Sequence, residues 1–327
     1  MLSPIFSPVE LPRGVTFFER GWLSSNNVVL WDSDEVVWID TGYVAHATQT
    51  LELHQKHWPG RAIDQIINTH LHSDHCGGNH YLQNVFPKAV TKVPAGQFCA
   101  VREWDEDELT FVGTSQRCDR FVAQGFVTAG EELELAGRVW KPIAAPGHDP
   151  DALMLWQPEA RLLISADAMW SNGFGIVFPE LQGKPGFDHV GQTLDAIERL
   201  QPLLVLPGHG GVIRDVPLAL KNARSKLAMF RANPARHTHH ALKALIKFLV
   251  MDLQRIDWPT LLQRIQAAPL LANALAHGLA CEWSTVSAQS ERAWHTQDLS
   301  SAWLATTLDE LVKAGALQID GNVILDA

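Results

Sequence analysis

The stretch "NTHLHSDHCGG", residues 68–78, crowds ionisable side chains into six consecutive positions and ends in two glycines. The crowded residues are His70, His72, Asp74 and His75. Burying so many polar groups costs free energy unless each finds a partner, and a metal ion is a partner that imidazole and carboxylate share. Gly77 and Gly78 let the chain bend and approach such a site closely. The stretch therefore predicts a metal site.

Three further polar residues each follow a run that is typical of a β-strand. They are His148 in "APGHDP", Asp167 in "LISADAM" and His209 in "LPGHGG". Each alone would be an ordinary structural residue, but loops at strand ends are where sheet proteins gather their sites. Imidazole suits zinc, iron, nickel or copper, and a carboxylate can bridge two ions, so the residue types leave the metal open.

This series of motifs resembles the signature of the metallo-β-lactamase-fold hydrolase superfamily over roughly residues 15–215. The resemblance implies an α/β fold, the αββα metallo-beta-lactamase sandwich, in which two sheets pack face to face with helices outside and a binuclear metal site lies at one edge. It also implies the ligands: His70, His72 and His148 for one ion, Asp74, His75 and His209 for the other, and Asp167 as the bridge between them.

The resemblance further implies the chemistry and its cofactors. These are two divalent ions, with zinc expected first and iron or manganese as alternatives, and a metal-bound hydroxide that attacks a carbonyl or phosphorus. Asp74 is the expected catalytic residue, because it is placed to orient the nucleophile or to shuttle a proton. Asp40 in "IDTG" corresponds to an outer carboxylate that orients a ligand, and its alternative interpretation is a turn residue after a strand.

Two regions with different patterns divide the chain. Residues 1–216 alternate short strands with helices, beginning with a hairpin formed by "NNVVLWD" and "EVVWIDTG", and predict the catalytic domain. Residues 217–327 have helical periodicity and end in a helix, Gly315 and a hairpin that turns at Asp320-Gly321. This second region predicts a mainly helical domain of winged-helix type.

The amino-acid composition and the net charge indicate which binding partners and which cellular location to expect. The net charge is −10, and residues 1–215 carry 15 Lys+Arg against 27 Asp+Glu, so the sequence disfavours nucleic acid. Without a signal peptide or a long apolar run, we expect a cytoplasmic protein that does not enter a membrane. The four cysteines, Cys76, Cys99, Cys118 and Cys281, lack metal-binding spacing and are expected to be reduced. The expected partner is a small-molecule substrate, and the sequence also allows a homodimer.

The segment after Asp167, "AMWSNGFGIVFPELQG", is expected to set specificity, with Trp170, Asn172 and Phe174 in an apolar substrate pocket. The alternative is an apolar loop packed into the core. The leading hypothesis is a hydrolase of a small ester, lactone or thioester. The alternatives are a phosphodiesterase or endoribonuclease of the same fold, and a sensor that binds metal without turnover. A helix is predicted at 237–250 and could close over the site. The i, i+4 spacing of Lys243 and Lys247 in this helix predicts a solvated face.

Overall fold

The computed structural model describes residues 10–280 and 299–327. Its central feature is a pair of β-sheets, which confirms the predicted sandwich. The first sheet has the order β1-β2-β3-β4-β5-β6, formed by Val15–Phe18, Asn27–Trp31, Val36–Ile39, Gln65–Ile67, Val90–Pro94 and Gly125–Val127. The second has the order β11-β10-β9-β8-β7, formed by Leu204–Pro207, Leu162–Ala166, Leu153–Gln157, Arg138–Ala144 and Leu133–Leu135.

The predicted hairpin of β2 and β3 is present. The strands pair antiparallel with Trp31 opposite Val36. Their turn is closed by the Asp32 carboxylate, whose Oδ1 accepts hydrogen bonds from the backbone N–H groups of Asp34 and Glu35, each at 2.8 Å. A short Asp side chain that bonds to the backbone two or three residues on is a common turn device.

Apolar side chains from both sheets interlock between them to form the central core. The first sheet contributes Val28, Leu30 and Ile39, and the second contributes Trp140, Leu155, Ile164 and Leu206. Helices cover the outer faces, and their bounds are α1 Ala47–His57, α2 Ser73–Cys76, α3 Asn79–Val85, α4 Phe98–Glu103, α5 Phe111–Thr114, α6 Phe178–Leu181, α7 Phe187–Leu200 and α8 Val216–Ala232. The predicted domain boundary falls at the first residue of α8 and stays a prediction.

The C-terminal region contains the predicted helices and hairpin. The helices are α9 Pro234–Leu253, α10 Trp258–Ala267, α11 Pro269–Ala280 and α12 Leu299–Lys313. The hairpin strands are β13 Leu317–Asp320 and β14 Val323–Asp326, and they pair antiparallel as expected. The sequence did not predict β12, Arg255–Asp257, which pairs with β14 and makes a three-stranded sheet.

The core of the C-terminal region extends to the edge of the sandwich. Its buried cluster includes Phe178 and Leu181 of α6 together with Leu242 and Leu245 of α9. Because α6 follows the loop after Asp167, this contact fixes α9 beside the predicted metal site. Within residues 10–280 and 299–327, none of the helices combines the length and the apolarity needed to cross a bilayer.

We predict that Leu155→Ala lowers the free energy of unfolding by about 2–5 kcal/mol, because the removed side chain fills the space between the sheets and leaves a cavity. Leu155 is 1% exposed, whereas Leu203 is 45% exposed. Leu203→Ala is therefore the matched control and should change stability by less than about 0.5 kcal/mol. Urea unfolding measures both, and equal losses would contradict the assignment of this core.

Candidate metal centre

The loops that carry the predicted ligands all follow the C-terminal ends of strands at one edge of the sandwich. The strands are β4, β8, β10 and β11, and the loops carry His70 to His75, His148, Asp167 and His209 in that order. β10 runs parallel to β11 and antiparallel to β9, which is antiparallel to β8. The C-terminal ends of β8, β10 and β11 therefore point the same way, which brings distant parts of the chain together.

His70, His72 and His148 form the first group of candidate ligands, and all three are buried. Nε2 of His148 lies 2.7 Å from Nδ1 of His72 and 3.2 Å from Nε2 of His70. The other ring nitrogen of His148, Nδ1, donates a hydrogen bond to the backbone oxygen of Ile176 at 2.5 Å. This bond orients the ring so that Nε2 is left for an ion.

Asp74, His75 and His209 form the second group. Asp74 Oδ2 accepts a hydrogen bond from His209 Nε2 at 3.1 Å and lies 3.8 Å from His75 Nε2. Asp167 stands between the groups: its Oδ2 lies 3.4 Å from His148 Nε2, and its Oδ1 lies 3.4 Å from His75 Nε2. One carboxylate thus offers one oxygen to each group, which is the arrangement a bridging ligand needs.

Asp40 is buried at the end of β3 and holds the first ligand loop in place. Its Oδ2 accepts from His75 Nδ1 at 2.7 Å and from Thr69 Oγ1 at 2.7 Å, and its Oδ1 accepts from the Thr69 backbone N–H at 2.8 Å. The backbone of Asp40 has φ 58°, a left-handed conformation in which Asp and Asn are enriched. Asp40 therefore orients His75 so that its Nε2 faces the site.

Two glycines allow the ligand loops to approach closely. A Cβ on Gly208 would lie 2.2 Å from Asp167 Oδ1, and a Cβ on Gly175 would lie 2.4 Å from His148 Nδ1. Any larger residue would displace the side chain beside it. The sequence analysis singled out Gly77 and Gly78 for this role, and a Cβ at either would also meet backbone atoms, at 2.5 Å and 2.6 Å.

The charges of the site separate its histidines into two kinds. Burial, together with neighbouring imidazoles, lowers the pKa values of His70 and His72 well below the usual range, so both are neutral at pH 7. Burial would also lower the pKa of His75, but the charges of Asp40, Asp74 and Asp167 outweigh it and raise that pKa well above the usual range. These three carboxylates therefore stabilise a positive charge on His75.

The donor set fits two divalent cations. His75 Nε2 is buried and has no hydrogen-bond partner within residues 10–280 and 299–327, although it faces Asp74 and Asp167. A cation there would accept its lone pair and balance the carboxylates, which is what the raised pKa of His75 otherwise achieves with a proton. The neutral imidazoles of the first group are in the protonation state that binds metal.

A cavity of about 500 Å³ opens above these residues, between the metal centre and the C-terminal helices. Trp170 lines it, as predicted, together with Ile176 and Phe178. The predicted pocket residues Asn172 and Phe174 do not line it. Phe174 is 1% exposed and packs on Phe230, because the chain turns into the core after Trp170, and Asn172 lies on the surface.

Several lining residues come from parts of the chain that the sequence analysis did not connect with the site. Trp22 stacks on His209 with 5.4 Å between ring centroids and is 58% exposed. From α9, the side chains of His240, Lys243 and Lys247 line the cavity. Lys243 and Lys247 are half-buried there and form ion pairs with Glu310 and Asp326, so the face that was predicted to be solvated borders the cavity. The helix lies beside the metal centre and lines the cavity above it, as expected, and its closure over the site stays a prediction. The large tryptophan content was the only sequence signal for Trp22.

Asp149, the neighbour of His148 in "APGHDP", was also missed. It is buried, accepts a hydrogen bond from Gln97 Nε2 at 3.0 Å, and faces His72 Nε2 at 3.8 Å. Burial raises the pKa of its carboxyl group to about 7. At this distance the two groups make no hydrogen bond, so the contact between the Asp149 carboxyl group and the imidazole of His72 is electrostatic only.

We predict that Asp40→Asn weakens zinc binding by about 10- to 100-fold, because an amide cannot hold His75 as a carboxylate does. Asn tolerates the left-handed backbone of this position, so the change tests the charge and not the turn. Competition with a chromophoric chelator measures the affinity. Asp34→Asn, on an exposed turn, is the control and should leave the affinity unchanged. Unchanged affinity in Asp40→Asn would mean that Asp40 is only a turn residue.

Comparison with known proteins agrees with this geometry. The family model described as the metallo-beta-lactamase superfamily matches residues 20–209. A beta-lactamase-like protein 2 homolog from Caenorhabditis elegans is 29% identical over 198 residues, covering 59% of this chain and 58% of that protein. A hydroxyacylglutathione hydrolase from Brucella anthropi is 30% identical over 183 residues, covering 54% of this chain and 56% of that protein. The chain spans about half the length of the curated relatives it matches.

Solved structures share the fold. A metallo-beta-lactamase family protein from Thermus thermophilus aligns with a TM-score of 0.56 at 19% identity, covering 97% of this chain and 100% of that one. A metallo-beta-lactamase from Cronobacter sakazakii aligns with a TM-score of 0.55 at 17% identity, covering 70% and 98%. Since the family model also covers more than half of the sequence, the chain belongs to the metallo-beta-lactamase superfamily.

Proposed function

We propose that this chain is a metal-dependent hydrolase that cleaves a small ester, lactone or thioester. The observation that carries the proposal is the convergence of seven candidate ligands at the base of a largely apolar cavity. Such a cavity suits an organic acyl group, and polar groups concentrated at one end fix its orientation. The names of the curated relatives support hydrolysis, and several are hydroxyacylglutathione hydrolases, a name that denotes cleavage of a thioester.

In this proposal the two groups of ligands would hold two divalent ions, and Asp167 would offer one carboxylate oxygen to each. When bound, such ions act as Lewis acids and lower the pKa of water toward neutrality. Zinc is the proposed metal, because neutral imidazoles dominate the first group and zinc favours nitrogen ligands. Asp40 and the backbone oxygen of Ile176 fix the rings of His75 and His148, so the ligand nitrogens are oriented before an ion arrives.

Asp74 is the proposed proton carrier. Its side chain is 13% exposed, more than that of Asp167, and it lines the cavity. The pKa of Asp74 is lowered, since burial would raise it but the charge of His75 and the hydrogen bond from His209 outweigh that effect. Asp74 is thus ionised at neutral pH and can accept a proton from an attacking water at the cavity floor.

The cavity also suits a substrate with a negative charge remote from its carbonyl group. His240, Lys243 and Lys247 lie at i, i+3 and i+7 on α9, so they form a row on the wall of the cavity. Lys243 Nζ donates to Glu310 at 3.1 Å and Lys247 Nζ donates to Asp326 at 2.5 Å. An ammonium group has three N–H donors, so each lysine keeps capacity for a substrate oxygen.

We predict that metal-loaded protein hydrolyses members of a panel of aryl esters, lactones and acyl thioesters, and that His72→Ala lowers kcat/KM by about a hundredfold or more because a ligand is lost. The exposed His189 of α7 provides the matched control, His189→Ala, which should retain full activity. Hydrolysis is followed by absorbance or by a thiol reagent, with and without a chelator.

Two outcomes would contradict this proposal. One is a panel in which the wild-type rates do not exceed those of His72→Ala. The other is cleavage of bis-aryl phosphates or single-stranded RNA in place of the carbonyl substrates, which would favour the phosphodiesterase alternative.

For the basic row, we predict that Lys243→Met raises KM for thioesters with an anionic thiol about fivefold, as expected for the loss of about 1 kcal/mol from a partly exposed charge. The KM for a neutral thioester of the same acyl group should not change. Lys221→Met, on the exposed side of α8, is the control. Equal effects on the charged and the neutral thioester would mean that Lys243 contributes only to packing.

A further inference from the structure

Two thiols meet beside the short helix that carries Asp74 and His75. Cys76 is the last residue of α2 and is fully buried. Its Sγ lies 3.8 Å from the Sγ of Cys118, 42 positions away in the chain and half-buried. Cys99 is exposed, and Cys281 lies outside the described residues. The expected function makes no use of this pair.

The pair is close enough to form a bond after a small movement. A disulfide requires the sulfur atoms to approach from 3.8 Å to about 2.0 Å. Cys118 belongs to the loop 115–124, which joins α5 to β6 and contains neither helix nor strand. The approach can therefore come from the Cys118 side chain and its loop, while Cys76 stays in α2.

The same loop contacts the metal centre and the wall of the cavity. Gln116 lines the cavity and accepts a hydrogen bond from Ser73 Oγ of α2 at 2.5 Å. Arg117 donates to Asp252 of α9 through Nε at 3.0 Å. A covalent tie at Cys118 would change how this loop connects α2 with α9.

The bond would also remove a hydrogen bond to a ligand residue. The single S–H of Cys76 can donate to the backbone oxygen of His72 at 3.4 Å or of Leu71 at 3.5 Å, and a disulfide sulfur has no hydrogen to donate to either. The carbonyl of His72 begins the turn that becomes α2, so the loss acts on the ligand stretch directly. Loss of a hydrogen bond to a ligand side chain typically alters metal affinity or activity by about 10- to 100-fold, and for this bond to the backbone of the ligand stretch we expect the low end of that range.

We propose that Cys76 and Cys118 form a thiol pair that a hydroperoxide converts into a disulfide, and that this modification weakens the metal centre. Cys118, the more accessible thiol, attacks the peroxide O–O bond, which gives a sulfenic acid and releases an alcohol or water. The Cys76 sulfur then attacks the Cys118 sulfur, and the S–S bond forms as the hydroxyl group leaves with the thiol proton as water. Two electrons pass from the thiols to the peroxide, and a dithiol reverses the change.

The test treats the metal-loaded full chain with hydrogen peroxide, alkylates the remaining thiols and digests the protein without reduction. We expect mass spectrometry to find a peptide that joins Cys76 to Cys118, and the thiol count to fall from the four of the sequence to two. Dithiothreitol should restore both thiols. Cys118→Ser should give no cross-link, whereas Cys99→Ser, the matched control, should still give it.

A second measurement follows the release of metal to a chelator. Oxidised wild type should release metal about tenfold faster than reduced wild type, and peroxide should not change the rate in Cys118→Ser. The proposal is overturned if Cys118 is oxidised to a sulfinic acid while Cys76 remains a free thiol and is alkylated. It is also overturned if the cross-link forms without a change in metal release. Both measurements are independent of turnover, so they stand even if the proposed substrates fail.

Discussion

Three largely buried carboxylates at one edge of the sandwich need positive charge to balance them, and the rest of the site is arranged around that need. Asp40, Asp74 and Asp167 all act on His75, and together they raise its pKa although burial opposes this. Imidazoles with lowered pKa values stand beside them and offer lone pairs instead of protons. A pair of divalent ions would satisfy both kinds of group at once, which explains why a protein can bury this cluster.

The scaffold supplies the rigidity that such a cluster requires. Each ligand loop follows the end of a strand, and hydrogen bonds from neighbouring loops fix the backbone: Asn26 donates through Nδ2 to the backbone oxygens of Pro207 and Gly210, and Ser25 N–H donates to the oxygen of Asp74. Phe178 packs against His72 with 4.3 Å between ring centroids and the ring planes tilted by 49°, and it belongs to the core of the C-terminal region. The packing of that region is thereby coupled to the position of a ligand.

The residues that match the family and many of the residues that line the cavity lie in different parts of the chain. The ligand loops lie within residues 20–209, the part that the family model matches, whereas much of the cavity wall comes from α9 and α12 beyond it. The candidate metal centre therefore lies within the part of the chain that matches the family. The aromatic and basic side chains above the centre are contributed by Trp22, by the loop after Asp167 and by the C-terminal helices, and they are where a substrate would be selected.

Local patterns in the sequence predicted the strands, the C-terminal hairpin and a metal site at the clustered His and Asp residues, because hydrophobic alternation and close spacing can be recognised within a short stretch of chain. The sandwich and the set of seven candidate ligands came from the resemblance of the motifs to a known family. Which residues line the cavity depends on the packing of elements that lie far apart in the chain. Phe174 follows Trp170 closely in the same apolar segment, yet it packs into the core while Trp170 faces the cavity. Lys243 and Lys247 have the spacing of a solvated helix face. The apolar side of α9 packs against the edge of the sandwich that carries the candidate ligands, and this packing places both lysines at the wall of the cavity. Periodicity shows that a residue shares a face with its neighbours, and only the packing of distant elements shows what that face meets.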